Sequence, residues 1–317
     1  MSEVTTSQDI SKVKQEFDVL LENLAKVLKE VRPRTNILNT KLGKIKKDLS
    51  NIERLDKYSR TKVSEIAIKF NTINSIFSND IQYNKKELAK IIEGKHCYQL
   101  DSNEGYNDIF FELSMGIRFL LASKGNKPKI NLDSDCDVIV NDTTAIECKY
   151  IHSASNLIKN ITKANNQINA RVNNGQAKEG FIALDLSHIC PRDKVDEFTN
   201  YTFDKFLENY KYLECKRKIS GDIANQILAN KHFRAIINSY IMSEVETALY
   251  GELGFSYKMG PNTLAIIFQS INSFCFEYKT EVIPLTTRGM SYFLNKQLTT
   301  EVHKNTQQYI HNLAVGV

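Results

Sequence analysis

Three observations predict an α/β (α+β) fold. Between Asn107 and Leu186 a helix, three short strands, a second helix and a fourth strand follow one another. The first 80 residues carry apolar side chains at helical spacing, and beyond residue 190 long helical patterns give way to two more strands. The division implied is a helical coiled-coil or bundle arm over 1–80, a core over 81–190, and a helix-rich cap over 191–317 whose strands complete the core sheet.

A chain of 317 residues can bury a sizeable core, and 42% hydrophobic with 25% charged residues excludes extended disorder. No apolar run approaches the roughly 20 residues of a membrane span, and the polar start Met1–Asp9 lacks a signal-peptide core. A cytoplasmic protein with no membrane partner is therefore expected. Six cysteines occur with no Cys-x-x-Cys pair, so reduced thiols are expected rather than a zinc site or disulfides. The net charge of +5 is only mildly basic, and its distribution has to carry any nucleic-acid argument.

In the arm, Val13, Phe17, Leu20, Leu24, Val27 and Val31 form one helical seam, and Leu38, Leu42, Ile45, Leu49 and Ile52 form a second with strict 4,3,4,3 spacing. Pro33 separates them and is expected in the first turn of the second helix. Lys and Arg outnumber Asp and Glu by 15 to 11 here. Two readings stay open: a packing or homo-oligomer seam with a solvated outer face, and a DNA-contacting arm.

The core begins with an amphipathic helix over Asn107–Ser123, Ile109, Leu113, Ile117 and Leu120 forming its stripe and Glu112 lying beside it. A short strand near Lys129–Leu132 leads to a hairpin: Asp135–Val140, the turn Asn141–Thr144, and Ala145–Tyr150. Alternation places Glu147 and Lys149 on one face of the second arm, with Asp137 on the neighbouring strand. Two carboxylates beside a cation suit Mg²⁺ and phosphate, because this ion takes one or two carboxylates and completes its shell with water and phosphate oxygens. Asp135, on the same strand face, is a rival ligand. A helix from Ser153 or Ser155 to Val172 follows, then a strand over Gly180–Leu186. Helices are expected through Arg192–Tyr250, strands over Thr263–Phe268 and Ser273–Leu285, and one or two closing helices.

Glu-x-Lys triplets also start at Glu93, Glu214 and Glu277, so the triplet alone has little specificity. Only Glu147 has an Asp ten positions before it across a turn, a helical Glu upstream and an amphipathic helix after it. From Cys148 to Lys178 there is no Asp or Glu, and Lys159, Lys163, Gln167 and Arg171 recur every four residues on one helical stripe. Such a stripe beside a metal site would contact phosphates, while the plainer reading is a solvated helix face. His152 is either a catalytic helper or a structural group.

This constellation, Glu112, Asp137 and Glu147-Cys148-Lys149, resembles the PD-(D/E)XK nuclease superfamily over roughly residues 107–187. The resemblance implies a restriction-endonuclease-like αβββαβ core and a Mg²⁺-dependent endonuclease acting on DNA, with RNA open and Mn²⁺ an alternative metal. It assigns Asp137 and Glu147 to one or two metal ions, and Lys149 to the attacking water and the charge on the phosphorane. Glu112 would complete the metal site or the shell around it. The proline of the superfamily name is absent, since Cys136 precedes Asp137. Gln167 is similar to the Gln-x-x-x-Tyr element of the RecB-like branch, but Arg171 stands where Tyr would be. By analogy the setting is bacterial restriction or antiphage defence. The alternative is a catalytically inactive DNA-binding or scaffold protein that keeps the fold.

Overall fold

The computed structural model describes residues 4–6, 10–79, 81–122, 127–133, 136–219, 221–254, 257–279 and 281–315. In chain order these form β1 (Val4–Thr6), α1 (Ile10–Val31), α2 (Lys41–Ser50), α3 (Lys57–Asn71), α4 (Asn74–Ser78), β2 (Ile81–Tyr83), α5 (Lys85–Leu88) and α6 (Tyr106–Leu121). There follow β3 (Ile130–Leu132), β4 (Val138–Val140), β5 (Thr144–Tyr150), α7 (Leu157–Asn173), β6 (Glu179–Asp185) and α8 (Arg192–Cys215). The chain closes with α9 (Ile223–Ala229), α10 (Lys231–Leu253), β7 (Thr263–Tyr278), β8 (Glu281–Leu294) and α11 (Thr300–Val315).

The strands make one mixed sheet in the order β1-β8-β7-β6-β5-β4-β3-β2. Strands β5, β6 and β7 run parallel, whereas β3–β4, β4–β5, β7–β8 and β1–β8 are antiparallel. A parallel step needs a crossover, and α7 supplies it for β5 to β6 while α8–α10 supply it for β6 to β7. Apolar residues of these crossover helices bury one side of the sheet with Ile182, Leu184, Ile266 and Phe268. The other side, carrying Val138, Ile146, Cys148 and Tyr150, packs with α1, α2, α3, α6 and α11. The result is a sheet between two helical layers.

Both apolar seams of the first 80 residues lie inside this single chain. Val13, Phe17, Leu20 and Leu24 join Leu42, Ile45 and Leu49 in the cluster that also holds Ile130, Val138 and Ile146. The segment is therefore a wall of the core and not a projecting arm, and of the two apolar rows only Leu38 and the half-buried Val31 stand outside the buried cluster. Pro33 does not open the second helix as expected. Asn36 instead accepts from Leu38 N at 3.0 Å and caps a 3₁₀ turn at Ile37–Asn39, so α2 starts only at Lys41 and Leu38 is 56% exposed.

Another difference lies in β7, a single 16-residue strand where two are expected. The second expected strand, Ser273–Leu285, is divided between β7 and β8, and Gln269, Ser270 and Asn272 between the expected strands are buried, as is Ser273. Most of their polar atoms find partners inside the sheet layer: Gln269 Nε2 donates to Asp185 Oδ2 at 2.5 Å, Asn272 Nδ2 to Ser270 Oγ at 3.0 Å, and Ser273 Oγ lies 2.8 Å from Thr286 Oγ1, while Gln269 Oε1 has no hydrogen bond.

The turn between β4 and β5 has Asn141 at φ 53° and Asp142 at φ 54°, a left-handed pair that Asn and Asp tolerate and that matches strand twist in a tight hairpin. Close packing of α7 on β6 depends on Gly180, where a Cβ would stand 2.7 Å from the Ala145 carbonyl oxygen and 2.9 Å from Ile168 Cγ2. Gly180→Val is accordingly expected to destabilise the protein by about 3 kcal/mol. Urea unfolding checks this, and an unchanged midpoint would mean that α7 has room to move. Among the described residues no helix is long and apolar enough to cross a membrane. All six cysteines are free thiols, and only Cys215 is exposed.

Candidate active site

The hairpin brings three of the expected residues into contact. Asp137 lies just before β4 rather than on the strand, and its Oδ2 accepts from the Cys148 backbone N–H at 2.7 Å and from Lys149 Nζ at 3.2 Å. Lys149 Nζ also lies 3.5 Å from Glu147 Oε2. Since Glu147 and Lys149 share one face of β5, the lysine bridges the two carboxylates. The face is that of α7, whose Arg171 Nε stands 3.8 Å from Glu147 Oε1.

Burial sets the electrostatics. Glu147 is fully buried, and loss of water pushes its carboxyl up, with the neighbouring Asp137 charge adding and Lys149 opposing. Burial works against the charge on Lys149, but Asp137 and Glu147 outweigh it and raise the ammonium's pKa. Glu112 reaches this group from α6 and is pushed up to about 8, first by burial and then by Asp137, with Lys149 opposing. Among the described residues it makes no ion pair, so its link to the cluster is through charge alone.

A hard divalent cation fits part of this arrangement. Asp137 and Glu147 are all-oxygen donors held together against their mutual repulsion, and Glu147 Oε1 is buried without a hydrogen bond. Among the described residues no three His, Cys, Asp or Glu groups converge, so Glu112 is not gathered into the same set. Asp135 lies outside the described residues.

The expected basic stripe divides in two. Lys159 and Lys163 are exposed and line a shallow trough along α7 with Gln167. Gln167 is half-buried, with Oε1 lacking a hydrogen bond, and Arg171 turns inward onto Glu147. Spacing placed these four on one helical face, but it did not show that the last turn of that face looks onto the carboxylates.

Two further groups join the site. Asp108 lies one helical turn before Glu112, and its Oδ1 is 3.3 Å from His152 Nε2, whose Nδ1 is 2.9 Å from Asn103 Oδ1. The i, i+4 spacing of Asp108 and Glu112 was a usable signal, since it puts both on one side of α6. His152 is thus held by polar partners at the rim of the cluster. No family model matches this chain, and no curated protein and no solved structure is found similar to it.

Proposed function

We propose that the protein is a Mg²⁺-dependent nuclease that hydrolyses phosphodiester bonds in DNA on a restriction-endonuclease-like core. The observation that carries this reading is the contact of Asp137, Glu147 and Lys149 on one hairpin, between a preceding helix that bears Glu112 and a following helix that bears Arg171. Asp137 and Glu147 would hold the metal. When bound, Mg²⁺ supplies an acidified water and neutralises charge on the phosphate.

The chain's own groups have separable tasks. Arg171 orients the buried Glu147 carboxylate, and the Cys148 N–H fixes Asp137 across the strand pair. Lys149, once the carboxylates face a metal, presents a cation to the charge that builds on phosphorus during attack. Lys159 and Lys163 offer exposed ammonium groups to the flanking backbone phosphates. A role in restriction or antiphage defence is compatible with this chemistry.

Supercoiled plasmid incubated with protein and Mg²⁺ tests the reading. Glu147→Gln and Lys149→Ala should each lower nicking by at least about 10²-fold, the usual scale for losing one charge-stabilising group. Undiminished nicking in both variants would place the chemistry elsewhere. A second reading, a catalytically silent DNA-binding protein, is favoured by the way Lys149 and Arg171 already pair with the carboxylates. Salt-sensitive DNA binding with no cutting in Mg²⁺ or Mn²⁺ would select it.

A further inference from the structure

Strand β7 outruns the parallel sheet. Its pairing with β6 ends at Asp185–Gln269, and from there it continues with β8 alone to Tyr278, which pairs with Glu281. Lys149 sits abreast of Leu184 and Phe268, so the hairpin tip lies ten residues beyond the level of Lys149, about 30 Å along the strand direction. It extends from the carboxyl ends of β5–β7, the same end at which Lys149 lies. Helix α8 accompanies the hairpin, with Phe203 stacked on Phe276 at 4.4 Å between ring centroids. The two meet again at their tips, where Lys211 Nζ lies 5.8 Å from the Tyr278 ring centroid.

This joint tip is basic and aromatic. Lys211, Lys216, Arg217, Lys218 and Lys279 are exposed, and among the described residues none of the five forms an ion pair. The Tyr212 ring lies between them, with Lys216 Nζ 5.6 Å from its centroid. Of the acids in the two tips, Glu277 is already paired with Arg60 at 3.6 Å, which leaves Glu214 and Glu281 against five cations. Earlier on the same helix, by contrast, Lys205 is neutralised by Glu208 at 3.0 Å.

The backbone supplies a second observation. Arg217, just past the end of α8, has φ +53°, and Lys279, at the hairpin tip, has φ +55°. Both positions are left-handed, where glycine enters freely and a side chain carries a steric cost. Two adjoining tips thus place a basic side chain where glycine would be the easier residue, which is what a surface selected for charge would do.

We infer that the tip formed by α8 and the β7–β8 hairpin is a second DNA-backbone contact, so that the substrate is a duplex long enough to span about 30 Å from Lys149 to this tip. The inference rests on the nuclease reading for the identity of the partner. Unpaired cations and tyrosine rings match the phosphates and sugars of the duplex, and no base readout is implied.

The test is fluorescence anisotropy with the full chain in EDTA, so that no cutting occurs. One probe is a 30-bp duplex; the other is a 4-bp hairpin stem, about 14 Å long, which is too short to occupy both contacts. Lys211→Glu, Lys216→Glu and Lys279→Glu together should weaken binding of the long duplex about tenfold or more and reduce its salt slope by about 2 to 3, while binding of the short stem stays the same. Arg217→Gly with Lys279→Gly should raise Tm and still weaken long-duplex binding, an outcome that misfolding would not produce. Unaltered affinity for the long duplex, an equal loss for both probes, or no binding of the long duplex by the unmodified protein would each overturn the inference. Because binding is read without metal, a protein that fails to nick plasmid in Mg²⁺ but shows these losses retains the second contact and loses only the nuclease reading.

Discussion

Lys149→Met is expected to destabilise the protein by about 3 kcal/mol at pH 8, because it leaves the buried Glu147 and the half-buried Asp137 carboxylates facing each other with their bridging cation gone. Lys149 is 14% exposed, Asp137 19% and Glu147 not at all, so solvent screens the pair poorly. The loss should shrink as pH falls. Without Lys149 the Glu147 carboxyl, already raised by burial and by Asp137, rises further in the folded state. A raised folded pKa means that the native state binds the extra proton, so stability is present below the ordinary carboxylate range and is lost as pH climbs through the folded value. Adding Glu147→Gln to the variant removes one of the two charges and should restore most of the stability at pH 8. Urea unfolding at pH 8 and pH 5.5 checks both statements. Equal losses at the two pH values, or no rescue by the double variant, would show that the lysine stem's packing and not its charge matters.

The legible parts of this chain were those governed by local pattern. The β4–β5 hairpin was visible because β-branched runs flank an Asn-Asp turn whose residues do adopt left-handed φ. Helix α7 was visible because Leu157, Ile161, Ala164 and Ile168 repeat at helical spacing, and all four are fully buried. What local pattern did not carry was partnership at a distance. The seams of α1 and α2 left packing within the chain and pairing with another copy both open, since periodicity reports an apolar face but not what covers it; here the sheet and α6 share their cluster. Arg171 looked like a phosphate contact, and only the packing of α7 beside β5 turns it onto Glu147. The continuity of β7 through Gln269–Asn272 was missed for a related reason, as local pattern knows nothing of Asp185 and Thr286 waiting as partners.

These long-range contacts also explain how the site is held. Glu112 approaches Asp137 from α6, which packs with the Ile146 and Cys148 side of β5, whereas Glu147 on β5 faces the other layer and Arg171 of α7. Neither helix alone makes the cluster. The hairpin, clamped between them, sets the spacing of the charged groups.

Stability is expected to pass through a minimum between pH 7 and 8, flanked by limbs from two different groups. Glu112 is raised from 4.5 to about 8, chiefly by burial, so the folded state holds its proton where the unfolded chain has lost it. Stability on this account falls between pH 4.5 and 8, by about 2 to 4 kcal/mol after allowance for its partial exposure, and Glu147 adds in the same direction. Lys41 runs the other way, lowered from 10.5 to about 7 by burial, with its ammonium lacking any hydrogen bond. Here the unfolded chain binds the extra proton, so stability rises from pH 7 to 10.5. That limb should be the shallower, because Lys41 Nζ lies 2.9 Å from the Tyr106 ring centroid and the ring face favours the cation. Thermal melts across the range should show Glu112→Gln flattening the acid limb alone and Lys41→Met the alkaline limb alone. Millimolar Mg²⁺ should raise the melting temperature near pH 8 and not near pH 5, since a cation held by Asp137 and Glu147 offsets the repulsion that those carboxylates impose on each other and on Glu112. A profile that stays level from pH 5 to 8 in the unmodified protein would remove the burial of Glu112 from the description of the site, and a Mg²⁺ shift of equal size at both pH values would place the ion elsewhere.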